Sequence, residues 1–111
     1  MIDDKIIQVH ADYALDALKP KLNAYRHFRE RVYIGVTASP EKRWKKHQGK
    51  GWKKMVLIYE AYSTDIAERL ERGLINYARQ CRYRVEIENV GDGGEGLSTT
   101  RQRHFLYLLV D

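Results

Sequence analysis

The sequence predicts a small α/β or α+β sandwich, with helices packed on a three-stranded or slightly larger sheet. Three observations point there. After an N-terminal piece, the hydrophobic pattern switches between strand-like and helix-like runs in the order β, α, β, α, β. Two helical runs open on strong start signals, Ser39-Pro40-Glu41 and Ser63-Thr64-Asp65. With 111 residues, 43% hydrophobic and 32% charged, the chain suits one modest core rather than two domains or a disordered polymer. The expectation is a single domain over 1–111, in which 1–31 is an N-terminal piece of open role.

The elements follow in order. Ile6-Ile7-Gln8-Val9 suits a short strand. From Ala11 the apolar spacing turns helical through Ala14, Leu15, Leu18, Leu22 and Tyr25, and Pro20 predicts either two short helices or a helix followed by something else. Residues 32–37 (VYIGVT) are rich in β-branched and aromatic side chains and read as a buried strand. Ser39 as N-cap and Pro40 at the first helical position start a helix that runs to His47 or Gln48 and ends at Gly49 and Gly51.

Residues 55–62 (MVLIYEAY) form a second strand. A long helix follows, capped by residues 63–65, with Asp65 and Glu68 at the spacing of a capping box. Ile66, Leu70, Leu74, Tyr77 and Cys81 share its apolar face. Residues 83–90 alternate and predict a third strand with Val85 and Ile87 inward. A Gly-rich loop over 91–96 comes next, and Thr99 and Gln102 again have capping spacing. Residues 104–110 (HFLYLLV) are uniformly apolar, and a final helix is the favoured reading.

Composition excludes several classes. No run of about 18 apolar residues exists, so a membrane span is not expected. No basic stretch followed by an apolar run opens the chain, and its one cysteine, Cys81, cannot form an internal disulfide. A cytoplasmic, reducing setting is the expectation. The net charge of +5 is unevenly spread. Residues 41–54 carry Lys42, Arg43, Lys45, Lys46, Lys50, Lys53 and Lys54 against Glu41. Residues 19–31 and the trio Arg79, Arg82 and Arg84 form further basic groups, with Tyr25, Phe28, Tyr33, Trp44 and Trp52 among them. Such clusters neutralise phosphates and such rings can stack on bases, although a solvated helix face over core aromatics gives the same pattern.

The candidate chemistry is sparse when taken residue by residue. His10, His27, His47 and His104 lack zinc-ligand spacing, whereas Mg²⁺ needs only one or two carboxylates plus substrate phosphates. Arg43 and His47, four apart, share a helix face that can grip a phosphate and move a proton. On the long helix, with Leu70 at zero, Glu68 falls about 160° away and Glu71 about 100° away. Glu71 therefore lies at the border of the apolar stripe, either extended into solvent or facing a cleft.

The order of these features resembles the GIY-YIG nuclease superfamily. Tyr33-Ile34-Gly35 lies on a strand, and Arg43 and His47 on the next helix. Leu70-Glu71 and Leu74-Ile75 lie on a later helix, with Asn89 before Gly93-Gly94. The resemblance covers about Val32 to Gly96 and implies a central three-stranded antiparallel sheet flanked by helices. The family's first tyrosine sits on an earlier strand joined by a hairpin to the YIG strand, and no GIY triplet stands there. Tyr25 ending a shortened strand, or the remoter Tyr13, would supply it; a helical run over 22–31 would mean its loss.

By the same resemblance, the chain is a metal-dependent endonuclease acting on DNA. Glu71 would be the metal ligand for one Mg²⁺ or Mn²⁺. Arg43 would contact a phosphate oxygen, Tyr33 and Tyr25 would position or deprotonate the attacking water, and His47 would assist. Lys42, Lys45 and Lys46 would hold the backbone, Asn89 would orient groups in the site, and Gly35 would let the substrate backbone approach. A second copy or a protein partner is compatible. The alternatives are a catalytically silent nucleic-acid-binding module on the same fold and a small protein-binding effector.

Overall fold

Residues 104–110 form a strand, not a helix, and this decides the architecture. The computed structural model describes residues 1–28, 31–80 and 103–111. Its elements are β1 (Ile2–Asp4), α1 (Ala11–Phe28), β2 (Val32–Thr37), α2 (Pro40–Gln48), β3 (Lys54–Ala61), α3 (Thr64–Gln80) and β4 (His104–Val110). Among the described residues the sheet has four strands, in the order β1-β3-β4-β2. β4 is antiparallel to both β2 and β3, while β1 runs parallel to β3. The expected α+β architecture is present, with a four-stranded mixed sheet in place of a three-stranded antiparallel one. The expected third strand over 83–90, the loop over 91–96, the capping pair Thr99 and Gln102, and Cys81 lie outside the described residues.

A strand buried on both faces reads as a continuous apolar run, because both sets of alternating side chains meet a core. Leu106, Leu108 and Val110 point to one face and Tyr107 and Leu109 to the other, and all five are buried. Seven residues also suit a strand better than a buried helix.

Each face of the sheet has its own core. On the first, α1 and α3 bring Ala14, Leu18, Leu22, Leu70, Leu74 and Ile75 onto Ile34, Val36, Val56 and Leu108. The N-terminal helix therefore shares a core with the strands. On the second face, Trp44 of α2 and Trp52 just after it cover Met55, Leu57, Tyr107 and Leu109. A register shift between Leu57 and Tyr59 marks a bulge in β3, after which Tyr59 joins the first core.

Three local expectations change. Pro20 lies inside one continuous 18-residue helix rather than dividing two. An interior proline costs about 3 kcal/mol. Leu18 and Leu22 on either side are fully buried, and each such side chain contributes about 1.5–3 kcal/mol, enough to carry the helix through. The first strand is Ile2–Asp4, earlier than the Ile6–Val9 segment; Lys5 and Ile7 still donate backbone hydrogen bonds to Leu57 and Ile58 before the chain leaves the sheet. The N-cap of α3 is Ser63, whose Oγ accepts from the Ile66 N–H at 3.2 Å, so the start lies ahead of the expected Asp65–Glu68 box. Among the described residues, no helix is long and apolar enough to cross a membrane.

Leu108 sits fully buried at the centre of β4 against the first core. Leu108→Ala should lower unfolding stability by about 2–5 kcal/mol, read as a reduced urea midpoint with an unchanged slope.

Candidate functional site

The helix α2 forms because Pro40 presets its first turn and the Ser39 carbonyl accepts the Arg43 N–H at 3.1 Å. The Ser39 side chain makes no capping bond. The helix closes at Gly49, and Gly51 turns the chain at φ +90°, a left-handed conformation suited to glycine. On this helix Trp44 and His47 face inward, Arg43 is half-buried, and Lys42, Lys45 and Lys46 are exposed. Lys50 and Lys53 are exposed too, so residues 41–53 carry five solvent-facing lysines and one exposed acid, Glu41. Lys54 is the exception, half-buried with its ammonium 3.7 Å from Asp3.

Beneath α2 lies a compact aromatic group. His47 Nε2 is 3.1 Å from the Tyr107 hydroxyl. The Tyr33 ring stands 5.6 Å from the His47 ring and 6.4 Å from the Tyr107 ring, centroid to centroid. Trp52 lies beside Tyr33, and the Arg31 guanidinium sits 4.2 Å from the Trp52 ring, within cation–π range. Burial chiefly holds His47 below the usual imidazole range, helped by the positive charges of Arg43, Lys50 and Lys46. Near neutral pH His47 is therefore an uncharged imidazole, able to accept a proton.

Gly35 has a different use from the one expected. It pairs with Tyr107 across β2 and β4, and a Cβ placed on it would come within 2.4 Å of the Tyr107 ring. The space beside Gly35 is filled by Tyr107 rather than left for a substrate backbone.

The structure brings Tyr33, Gly35, Arg43 and His47 to the α2 side of the sheet. Glu71 lies elsewhere. It sits in the middle of the buried face of α3, only 2% exposed, on the first core's side. Glu68 is half-buried. Glu71 thus occupies neither the stripe's border nor a solvent-facing position. A carboxylate so buried requires polar company, and Glu71 has it. Both groups border β2, an edge strand among the described strands: Tyr33 projects from one side, and α3 lies over the other.

Tyr25 does not end a first strand. It lies on α1 and packs against the first core, across the sheet from Tyr33. Tyr13 is on α1 as well and is exposed. The tyrosine on the antiparallel neighbour of β2 is Tyr107, supplied by the C-terminal strand. Periodicity within a uniformly apolar run could not single it out. Gly35, a glycine inside a strand, was the one local sign that something large approached there. Asn89 lies outside the described residues.

The donor set for a metal is narrow. Among the described residues, no group of three His, Cys, Asp or Glu side chains could hold an ion. Glu71 is a hard oxygen donor of the kind Mg²⁺ or Mn²⁺ takes, but at 2% exposure it leaves little room for the phosphate oxygens and water that a single-carboxylate shell needs.

Compared with known proteins, the chain matches no family model, no curated protein and no solved structure.

Two outcomes follow from this geometry. Gly35→Ala should cost about 1–3 kcal/mol in denaturant unfolding, because the new methyl group must displace the Tyr107 ring. Because the folded state holds His47 below its unfolded value of about 6.5, the unfolded chain binds the proton more readily. Stability should therefore fall as pH drops through and below about 6.5, and His47→Gln should flatten that part of a melting-temperature profile.

Proposed function

We propose that this chain is a divalent-metal-dependent endonuclease that hydrolyses DNA phosphodiester bonds. The observation that carries the reading is the α2 face. It sets a cation for phosphate, Arg43, one turn from an uncharged imidazole, His47, with Tyr33 against its ring and exposed lysines around it. The order of motifs shared with GIY-YIG nucleases supports the same reading.

The backbone of the substrate lies along Lys42, Lys45 and Lys46, whose charges release counterions from DNA on contact. Arg43 donates to a non-bridging phosphate oxygen and offsets the negative charge that grows as the nucleophile adds. The Tyr33 hydroxyl orients the attacking water, and His47 takes one of its protons. The resulting hydroxide forms the new P–O bond while the bond to the leaving alkoxide breaks. The alkoxide takes a proton from solvent water, and the hydroxide so produced discharges the imidazolium. Burial and the neighbouring cations favour that last step, since they disfavour a charged His47. By the resemblance Glu71 would hold the Mg²⁺ or Mn²⁺, a role that its 2% exposure and its place across the sheet from His47 oppose. Asn89 keeps the orienting role that the resemblance implies, whereas Tyr25 is removed from the reacting groups by the sheet.

A second reading is a nucleic-acid-binding module without catalysis. It is favoured by the placement of Glu71 on the opposite face of the sheet from Tyr33 and His47. Plasmid nicking with Mg²⁺ or Mn²⁺ separates the two. Wild type should nick in a metal-dependent manner. Arg43→Ala should lose about 10²–10³ of the rate with its circular dichroism spectrum unchanged. Glu71→Gln, which preserves side-chain volume, should reduce nicking to the metal-free background. Salt-sensitive DNA binding with no cleavage by wild type would select the binding module instead.

A further inference from the structure

We propose that Tyr107 is a positioning residue that sets His47 as the proton acceptor of the α2 site, a role whose catalytic consequence rests on the nuclease reading. Tyr107 is 0% exposed, so it touches no substrate. Its ring lies over Gly35, where no side chain other than glycine's would let it lie. It stacks against Tyr33 with 30° between the ring planes, and Met55, Leu57 and Leu109 belong to the same cluster. That packing aims the hydroxyl at His47 Nε2, 3.1 Å away. The hydrogen bond ties the packed ring to the imidazole, so each restrains the other.

The bond also decides which ring nitrogen does chemistry. In a neutral imidazole one nitrogen carries the proton, and the hydrogen bond made by the other selects which. For His47 to take a proton from water at Nδ1, its own proton must reside on Nε2 and be donated to the Tyr107 oxygen, which is the tautomer that a proton-accepting His47 requires. Nδ1 is left as the basic nitrogen. Among the described residues it makes no hydrogen bond, and His47 retains 9% of its surface in solvent.

The test uses the full chain and Tyr107→Phe, with exposed Tyr62→Phe as control. In wild type, ¹⁵N spectra of the histidine ring should show His47 as the single tautomer protonated at Nε2. Tyr107→Phe should show a mixture of tautomers while keeping the circular dichroism spectrum. In plasmid cleavage, Tyr107→Phe should lower kcat about tenfold or more, within the range acid–base catalysis supplies, and leave KM within about twofold. His47→Gln combined with Tyr107→Phe should be no slower than His47→Gln alone, since the two act as one unit. An unchanged tautomer and an unchanged kcat in Tyr107→Phe would overturn the assignment. Absence of cleavage by wild type would instead overturn the nuclease reading, and the tautomer measurement alone would then decide the role of Tyr107.

Discussion

A strand with large apolar side chains on both faces is stable only where both faces are covered and both edges are paired. β4 is such a strand. Its backbone pairs with β2 on one side and β3 on the other, and its side chains alternate between the two cores. The rest of the molecule follows from satisfying it. α1 and α3 cover one face, while α2 with Trp44 and Trp52 covers the other. β2 and β3 are brought parallel to each other because both are antiparallel to β4.

Tyr107 is where this constraint meets the candidate site. An aromatic ring at the middle of a central strand must lie over something, and its partner across the sheet is Gly35. The missing side chain allows the ring to lie flat across β2, and the ring then presents its hydroxyl to the helix above. The polar pair in an otherwise apolar layer is thus a product of register. A shift of one residue in the β2–β4 pairing would place Tyr107 opposite a β-branched side chain and turn its ring to the other core. The same sheet separates Glu71 from His47, and β2 is the strand that both groups border.

Much of the fold was legible in local chemistry. Ser39-Pro40 marked the start of α2, and the apolar stripe of α3 was visible in its spacing. The β-branched run over 32–37 announced a strand. The departures from local pattern share a cause. Residues 104–110 carry no periodicity, because a doubly buried strand and a buried helix place apolar residues everywhere. Pro20 reads locally as a break, yet the burial of Leu18 and Leu22 outweighs its cost. Helical angle alone puts Glu71 at the border of its stripe. How deeply that border is buried depends on what packs against α3.

The site divides in the same way. Arg43 and His47 on one helical face, and the lysines around them, are consequences of spacing along a single element. The amino-acid sequence determined those, along with the charge that surrounds them. Only the tertiary structure decided that Tyr25 lies across the sheet and that Tyr107, from the far end of the chain, faces His47. Local spacing acts over a turn or a strand, whereas the choice of neighbours across a sheet is settled by pairing between segments distant in sequence. That choice minimises exposed apolar surface for the whole chain at once.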